Sequence, residues 1–190
     1  MSTAIAKRIR WTVKDYFRMS KAGLLDNHRV ELLNGELFQM PAQATPHMAS
    51  ISKTSPLLFQ AFGAGHWVIV QGTLVLSRYG APEPDFHVFD VPIGTPRNRL
   101  PLPLLVIEVS DSTYLKDSGP KLRTYARAGI PDYWIFNLPR NRVEVYRQPA
   151  NPTGTPRGWG YASIDVKTRG DQVVRLLRPQ LSFAVDAMLP

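Results

Sequence analysis

The sequence contains no cysteine, which excludes a disulfide framework, a thiolate-bound zinc and a thiol nucleophile, and fits a reducing compartment. Any metal ion must therefore be held by oxygen or imidazole. Histidine is scarce: positions 28, 47, 66 and 87 supply all of it, and His28, His66 and His87 show no metal-ligand spacing. Long apolar runs are also missing. The basic start, Met1 to Arg10, lacks the continuous hydrophobic stretch of a secretory signal, and no later stretch approaches the length of a membrane span. The expectation is a soluble, cytoplasmic protein with no membrane partner. Acidic residues are in deficit, 15 against 23 Lys and Arg for a net charge of +8. After position 120 the count is 11 basic to 5 acidic, so +6 of that charge lies late in the chain. Such a surplus favours a polyanion, with nucleic acid the first choice.

What is present fits one domain over residues 1–190, with residues 1–10 expected to be disordered, and a core that needs no covalent staple. Thr12 with Asp15 three residues on reads as a helix cap, with Val13, Tyr16, Phe17 and Leu24 along one face and a stop near Gly23. Asn34-Gly35 between Arg29–Leu33 and Glu36–Met40 reads as a type I′ hairpin. Residues 47–63 carry Met48, Ile51, Leu58 and Phe62 at helical spacing, with Pro56 expected to kink the helix or end its first turn. Strands are expected at 67–70, 74–76, 85–89 and 104–109. Asp117-Ser118-Gly119-Pro120-Lys121 reads as a helix start, with Asp117 or Ser118 as cap, Leu122, Tyr125 and Ala126 buried, and Gly129 as the stop. Further strands are expected at 130–136, 143–146, 161–166, 173–177 and 181–185, with a Pro/Gly-rich loop at 149–160.

Chemistry concentrates in three residues. Asp85 opens a strand after two prolines, and Glu108 closes the apolar run 102–109. An ionised Glu there needs a cation, a metal or a proton beside it. Alternation puts Leu104, Val106 and Glu108 on one strand face. Lys121, in the first turn of the expected helix, leans back toward that strand, so a Glu108 to Lys121 encounter follows. If the 85–89 strand lies alongside, Asp85 and Glu108 share a face, and two carboxylates suit Mg²⁺, with Mn²⁺ as a substitute. The same residues admit a plain reading: Asp85 capping a turn, and Glu108 with Lys121 as a buried structural ion pair.

The ordered set Val-Glu-Leu-Leu-Asn-Gly-Glu (30–36), His47, Pro84-Asp85, Val-Ile-Glu-Val-Ser-Asp-Ser-Thr (106–113), Asp117, Lys121, Tyr125 and Ala-Gly-Ile-Pro-Asp-Tyr-Trp-Ile-Phe-Asn (128–137) resembles the Uma-type restriction-endonuclease-like family of the PD-(D/E)XK nuclease superfamily. The likeness runs from about residue 10 to the C-terminus. It implies an α/β fold, a restriction-endonuclease-like mixed β-sheet flanked by helices, with an N-terminal helix and β-hairpin. It also implies Asp85 and Glu108 as metal-binding acids and Glu31 as an additional acid near the metal. The superfamily's usual lysine lies two residues after the glutamate, where this chain has Ser110. Lys121 then stands as a migrated lysine supplied by the next helix.

The implied activity is Mg²⁺-dependent hydrolysis of DNA through Asp85, Glu108, Lys121 and Glu31, with a homodimer suited to cutting two strands. The alternative that Ser110 raises is a nucleic-acid-binding protein with a decayed site. A structural module whose acid-lysine cluster only holds the fold is the third reading. A lone His at a helix start is more often a cap or surface residue, and an approach to the same site is the other reading of His47; Asp117 reads as an N-cap, with ligating or orienting something near Lys121 as its alternative. Tyr133 and Trp134 read as core.

Overall fold

The structure, a computed structural model, describes residues 8–155, 158–176 and 181–190. Thr12 and Asp15 form the expected reciprocal cap, each side chain bonding the other's backbone N–H, at the head of α1 (Val13–Lys21). Of the four residues expected along one face of α1, Tyr16 is buried, but Phe17 and Leu24 are exposed. The helix ends at Lys21, so Leu24 lies beyond it and faces solvent in the turn that follows. Strands β1 (Val30–Leu33) and β2 (Glu36–Gln39) form the Asn34-Gly35 hairpin, both turn residues having positive φ as a type I′ turn requires. A side chain on Gly35 would also collide with Arg10, whose Cβ would lie 2.8 Å away.

Helix α2 (Thr45–Phe62) takes Pro46 in its first turn and runs through Pro56 without ending there. The main sheet has six strands in the order β3 (Trp67–Val70), β4 (Phe86–Phe89), β5 (Leu105–Ser110), β6 (Asp132–Asn137), β7 (Arg142–Ala150) and β8 (Gly160–Thr168). Only the β5–β6 pair is parallel, which makes the sheet mixed. Between those two strands runs the crossover helix that carries Lys121. A small β9 (Gln172–Val174) and β10 (Ser182–Ala184) pair and a final helix, α5 (Val185–Met188), close the chain.

The expected strand at 74–76 is absent. Gln71 adopts a positive φ, and the chain continues as an irregular hairpin arm held by Leu74 N–H to Pro82 and Leu76 N–H to Gly80. Near the C-terminus the strand expected at 173–177 spans Gln172–Val174, and Leu177 lies outside the described residues. The loop expected at 149–160 narrows because β7 and β8 extend to Ala150 and from Gly160.

The sheet buries apolar side chains on both faces. Leu105, Ile107, Val109, Trp134 and Phe136 pack with α2 and α5 on one side, and Val106, Tyr133 and Ile135 pack with Tyr125 on the other. Strands buried on both faces read as continuous apolar runs, as 104–109 does. Tyr133 and Trp134 are fully buried core, as the sequence suggested.

Candidate active site

The crossover helix begins earlier than its sequence suggests. α3 (Tyr114–Lys116) opens it, a π-turn spans Asp117–Lys121, and α4 (Leu122–Ala128) completes it to Gly129, whose φ is +83°. Asp117 is therefore not the N-cap. Pro120 falls in the helix interior and has no N–H for the carbonyl four residues back, so the turn widens and Leu122 N–H reaches Asp117 O instead. The Asp117 side chain is occupied elsewhere: it accepts from Ser110 Oγ at 2.7 Å and Thr113 Oγ1 at 2.6 Å.

The widened turn sends Lys121 inward. Its Nζ lies 2.9 Å from Glu108 Oε1, 3.1 Å from Glu31 Oε2 and 3.9 Å from Asp117 Oδ1, and donates to Glu83 O at 3.3 Å. Glu31 is fully buried, on the inward face of β1. Its other oxygen meets Lys116 Nζ at 2.8 Å. Glu108 Oε1 also accepts from Tyr125 OH at 2.6 Å, which leaves Oε2 for another partner.

Asp85 lies one step beyond the paired part of β4. Because Phe86 pairs with Ile107, the same register puts Asp85 across from Glu108, about 5 Å apart at Cβ. Asp85 accepts from Val109 N–H at 2.8 Å and Gln71 Nε2 at 3.3 Å, and His47 Nε2 sits 3.1 Å from it. The structure thus brings His47, from the first turn of α2, to the site acid, the less favoured of its two readings. Asp85, Glu108 and Lys121 all line one cleft of about 70 Å³, together with Arg29, Gln43 and Lys116.

Each charge answers to its surroundings. Burial pushes the Glu108 carboxyl well above the usual carboxylate range; Lys121 offsets only part of this, and Asp117, Asp85 and Glu31 add to it. Burial likewise raises Asp117 despite Lys121 and its two hydroxyl donors. Burial would raise Asp85 too, but His47, the Val109 N–H and Lys121 outweigh it and hold Asp85 below its ordinary value. Glu31 follows Asp85, with Lys121 and Lys116 overcoming burial. Burial alone would depress the Lys121 ammonium, yet Glu108, Glu31 and Asp117 hold it above its ordinary value, so it stays protonated at neutral pH.

Four carboxylates (Glu31, Asp85, Glu108, Asp117) thus face two ammonium groups (Lys116, Lys121). Burial is what raises Glu108 and Asp117, with the neighbouring carboxylates adding to it at Glu108, and the negative surplus is the condition a divalent cation would relieve. Among the described residues no three His, Asp or Glu side chains form a cage for an ion by themselves. Mg²⁺ does not need one, since it commonly binds through one or two carboxylates plus waters and substrate phosphate.

A family model, Uma2, described as "Putative restriction endonuclease", matches residues 13–186. The chain belongs to this family. In solved structures it is similar to the crystal structure of a putative nuclease belonging to DUF820 from Anabaena variabilis, with a TM-score of 0.68 and 15% identity over 93% of this chain and 96% of that one. No curated protein matches. The family and the shared fold support a nuclease-like function for this Uma2 chain.

Sequence reasoning missed Lys116 and Gln71. Lys116 stands five residues before Lys121, a spacing that shares a side only when the helix is widened. Gln71 reaches Asp85 because its positive φ turns the hairpin at that point. The available signal was Gly72 beside it, within a strand-like stretch.

Proposed function

We propose that this chain is a metal-dependent endonuclease that hydrolyses phosphodiester bonds in DNA, with Asp85 and Glu108 holding Mg²⁺ or Mn²⁺. The observation that carries the reading is the meeting of Lys121 with Glu108 at 2.9 Å in a cleft that Asp85 also lines. Nucleases of the restriction-endonuclease-like kind generally use divalent metal ions. When bound, such an ion lowers the pKa of a water and neutralises charge on the phosphate.

The chain's own residues do the rest. Val109 N–H, Gln71 and His47 fix the Asp85 carboxylate in one orientation, and Tyr125 fixes that of Glu108. Lys121, held protonated, is no proton acceptor; it supplies fixed positive charge beside the scissile phosphate and the attacking water. Glu31 anchors Lys121 and Lys116 from the far side rather than meeting substrate. Lys121 thus serves from the helix in place of a lysine at position 110, where Ser110 holds Asp117. The net charge of +8 supports a polyanionic substrate. Cutting both strands of a duplex takes two such sites, which a homodimer would supply.

The test is cleavage of plasmid and duplex DNA in Mg²⁺, Mn²⁺ and EDTA. Cutting is expected with either metal and not in EDTA, with a loss of at least a hundredfold in both Asp85→Asn and Glu108→Gln. Normal cutting by either variant contradicts the assignment.

A further inference from the structure

A second cavity of about 290 Å³ opens on the same sheet face, between β3–β4 and the segment 95–103. Trp67, Leu74, His87 and Phe89 line it, and Arg97 stands at its exposed rim. Trp67 pairs with Phe89 across the strands, so two aromatic side chains stand side by side on one wall of the space. His87 is 1% exposed and makes no hydrogen bond among the described residues; its neighbour is the Phe89 ring, edge-on at 5.3 Å. A neutral imidazole offers one donor and one acceptor. A polar group in such a place is costly unless a ligand or water answers it.

The position of His87 relative to Asp85 narrows the class of ligand. It lies two residues from Asp85 on one chain, so both side chains leave the same face roughly 7 Å apart. That is the reach from a phosphate across one sugar to its base. We propose that the cavity receives one unpaired nucleobase, packed against Trp67 and Phe89 and hydrogen-bonded by His87, from the nucleotide whose phosphate occupies the neighbouring cleft. The inference rests on the nuclease reading for the source of the base. The chemistry itself, an uncharged planar heterocycle against an aromatic wall with one donor-acceptor partner, would also admit a free nucleoside. An unpaired base costs little to place there, and reading one base this way would bias cutting toward single-stranded or mispaired sites.

Two binding experiments in EDTA separate these sources. In the first, free nucleosides are titrated while the Trp67 indole N–H resonance is followed by NMR, assigned by its loss in Trp67→Phe. In the second, a single-stranded oligonucleotide carrying 2-aminopurine is titrated and its emission recorded. The expected result is a saturable Trp67 shift in the first and a saturable change in emission in the second. Both should weaken at least tenfold in His87→Leu and in Val75→Trp, which obstructs the cavity from a residue 36% exposed. Both responses without cutting by the wild type would sustain the base site and sink the nuclease reading. An unmoved Trp67 resonance in the nucleoside titration overturns the inference even if the chain cuts DNA. A nucleoside response with no change in 2-aminopurine emission overturns the assignment to a substrate strand.

Discussion

Asp85 and Glu108 face each other across β4 and β5, yet the fold treats their charges in opposite ways. Asp85 is held below its ordinary value, burial being outweighed by His47 and the Val109 N–H, so its stabilising contribution is present above the unfolded carboxylate value and lost as pH falls through the folded one. Glu108 is raised by burial, so its contribution is full below the unfolded value and lost as pH rises through the folded one. The same kind of substitution should therefore act with opposite sign. In metal-free buffer at pH 8, Glu108→Gln is expected to melt at or above the wild-type temperature, because it removes a charge the fold disfavours. Asp85→Asn should lose about 1–3 kcal/mol, the worth of hydrogen bonds to a charged group. Thermal melts of the two variants check this, and equal losses in both would contradict the charge assignment.

At the scale of elements, the π-turn at Asp117–Lys121 is the feature on which the site turns. Asp-Ser-Gly-Pro is what a helix start looks like, because Asp caps well and Pro is tolerated in a first turn. The structure uses the same residues mid-helix, and Thr113 rather than Asp117 precedes the first turn. That difference was illegible because the choice depends on Ser110 and Thr113, whose hydroxyls claim the Asp117 carboxylate only once β5 and the helix are packed. The strands were easier to read. The 104–109 run is apolar on both faces, and the Asn-Gly turn fixes its hairpin locally, so both follow from short-range pattern. The arm at 74–76 looked like a strand for the same reason, but its bonds go to Pro82 and Gly80 in an irregular loop. Pro120→Ala restores the missing N–H and favours a regular α-helix. The expected outcome is a Lys121 ammonium drawn away from Glu108, at least tenfold slower cutting and little change in melting temperature. Unchanged cutting would show that the widened turn does not position Lys121.

Across the whole molecule, acid stability should bear the mark of His87. Its folded pKa of about 4 lies below the unfolded value near 6.5, so the stability tied to its neutral form is full above that unfolded value and drains as pH falls toward 4. The size is about 3 kcal/mol over that window. Urea melts between pH 7 and 4 should show this loss in the wild type and a flatter profile in His87→Leu; parallel profiles would contradict it. His87 carried no legible signal, since an isolated histidine in an apolar strand reads as core until the cavity beside it is seen. The acids were more legible than their partners. Asp85, Glu108 and Lys121 stand out by charge within apolar or helical pattern, and the fold does gather them at one cleft. His47, Lys116 and Gln71 reach that cleft from α2, the widened helix and a bulged hairpin, a convergence that exists only in three dimensions. Among the described residues no helix is long and apolar enough to cross a membrane.

In the proposed site Asp85 and Glu108 grip one divalent ion beside Lys121. Anomalous diffraction from crystals soaked in Mn²⁺ tests it most directly. A single strong peak between the two carboxylates is expected, together with its loss in Glu108→Gln. Manganese-soaked crystals with no peak between these two carboxylates, or with the ion bound elsewhere, would contradict it.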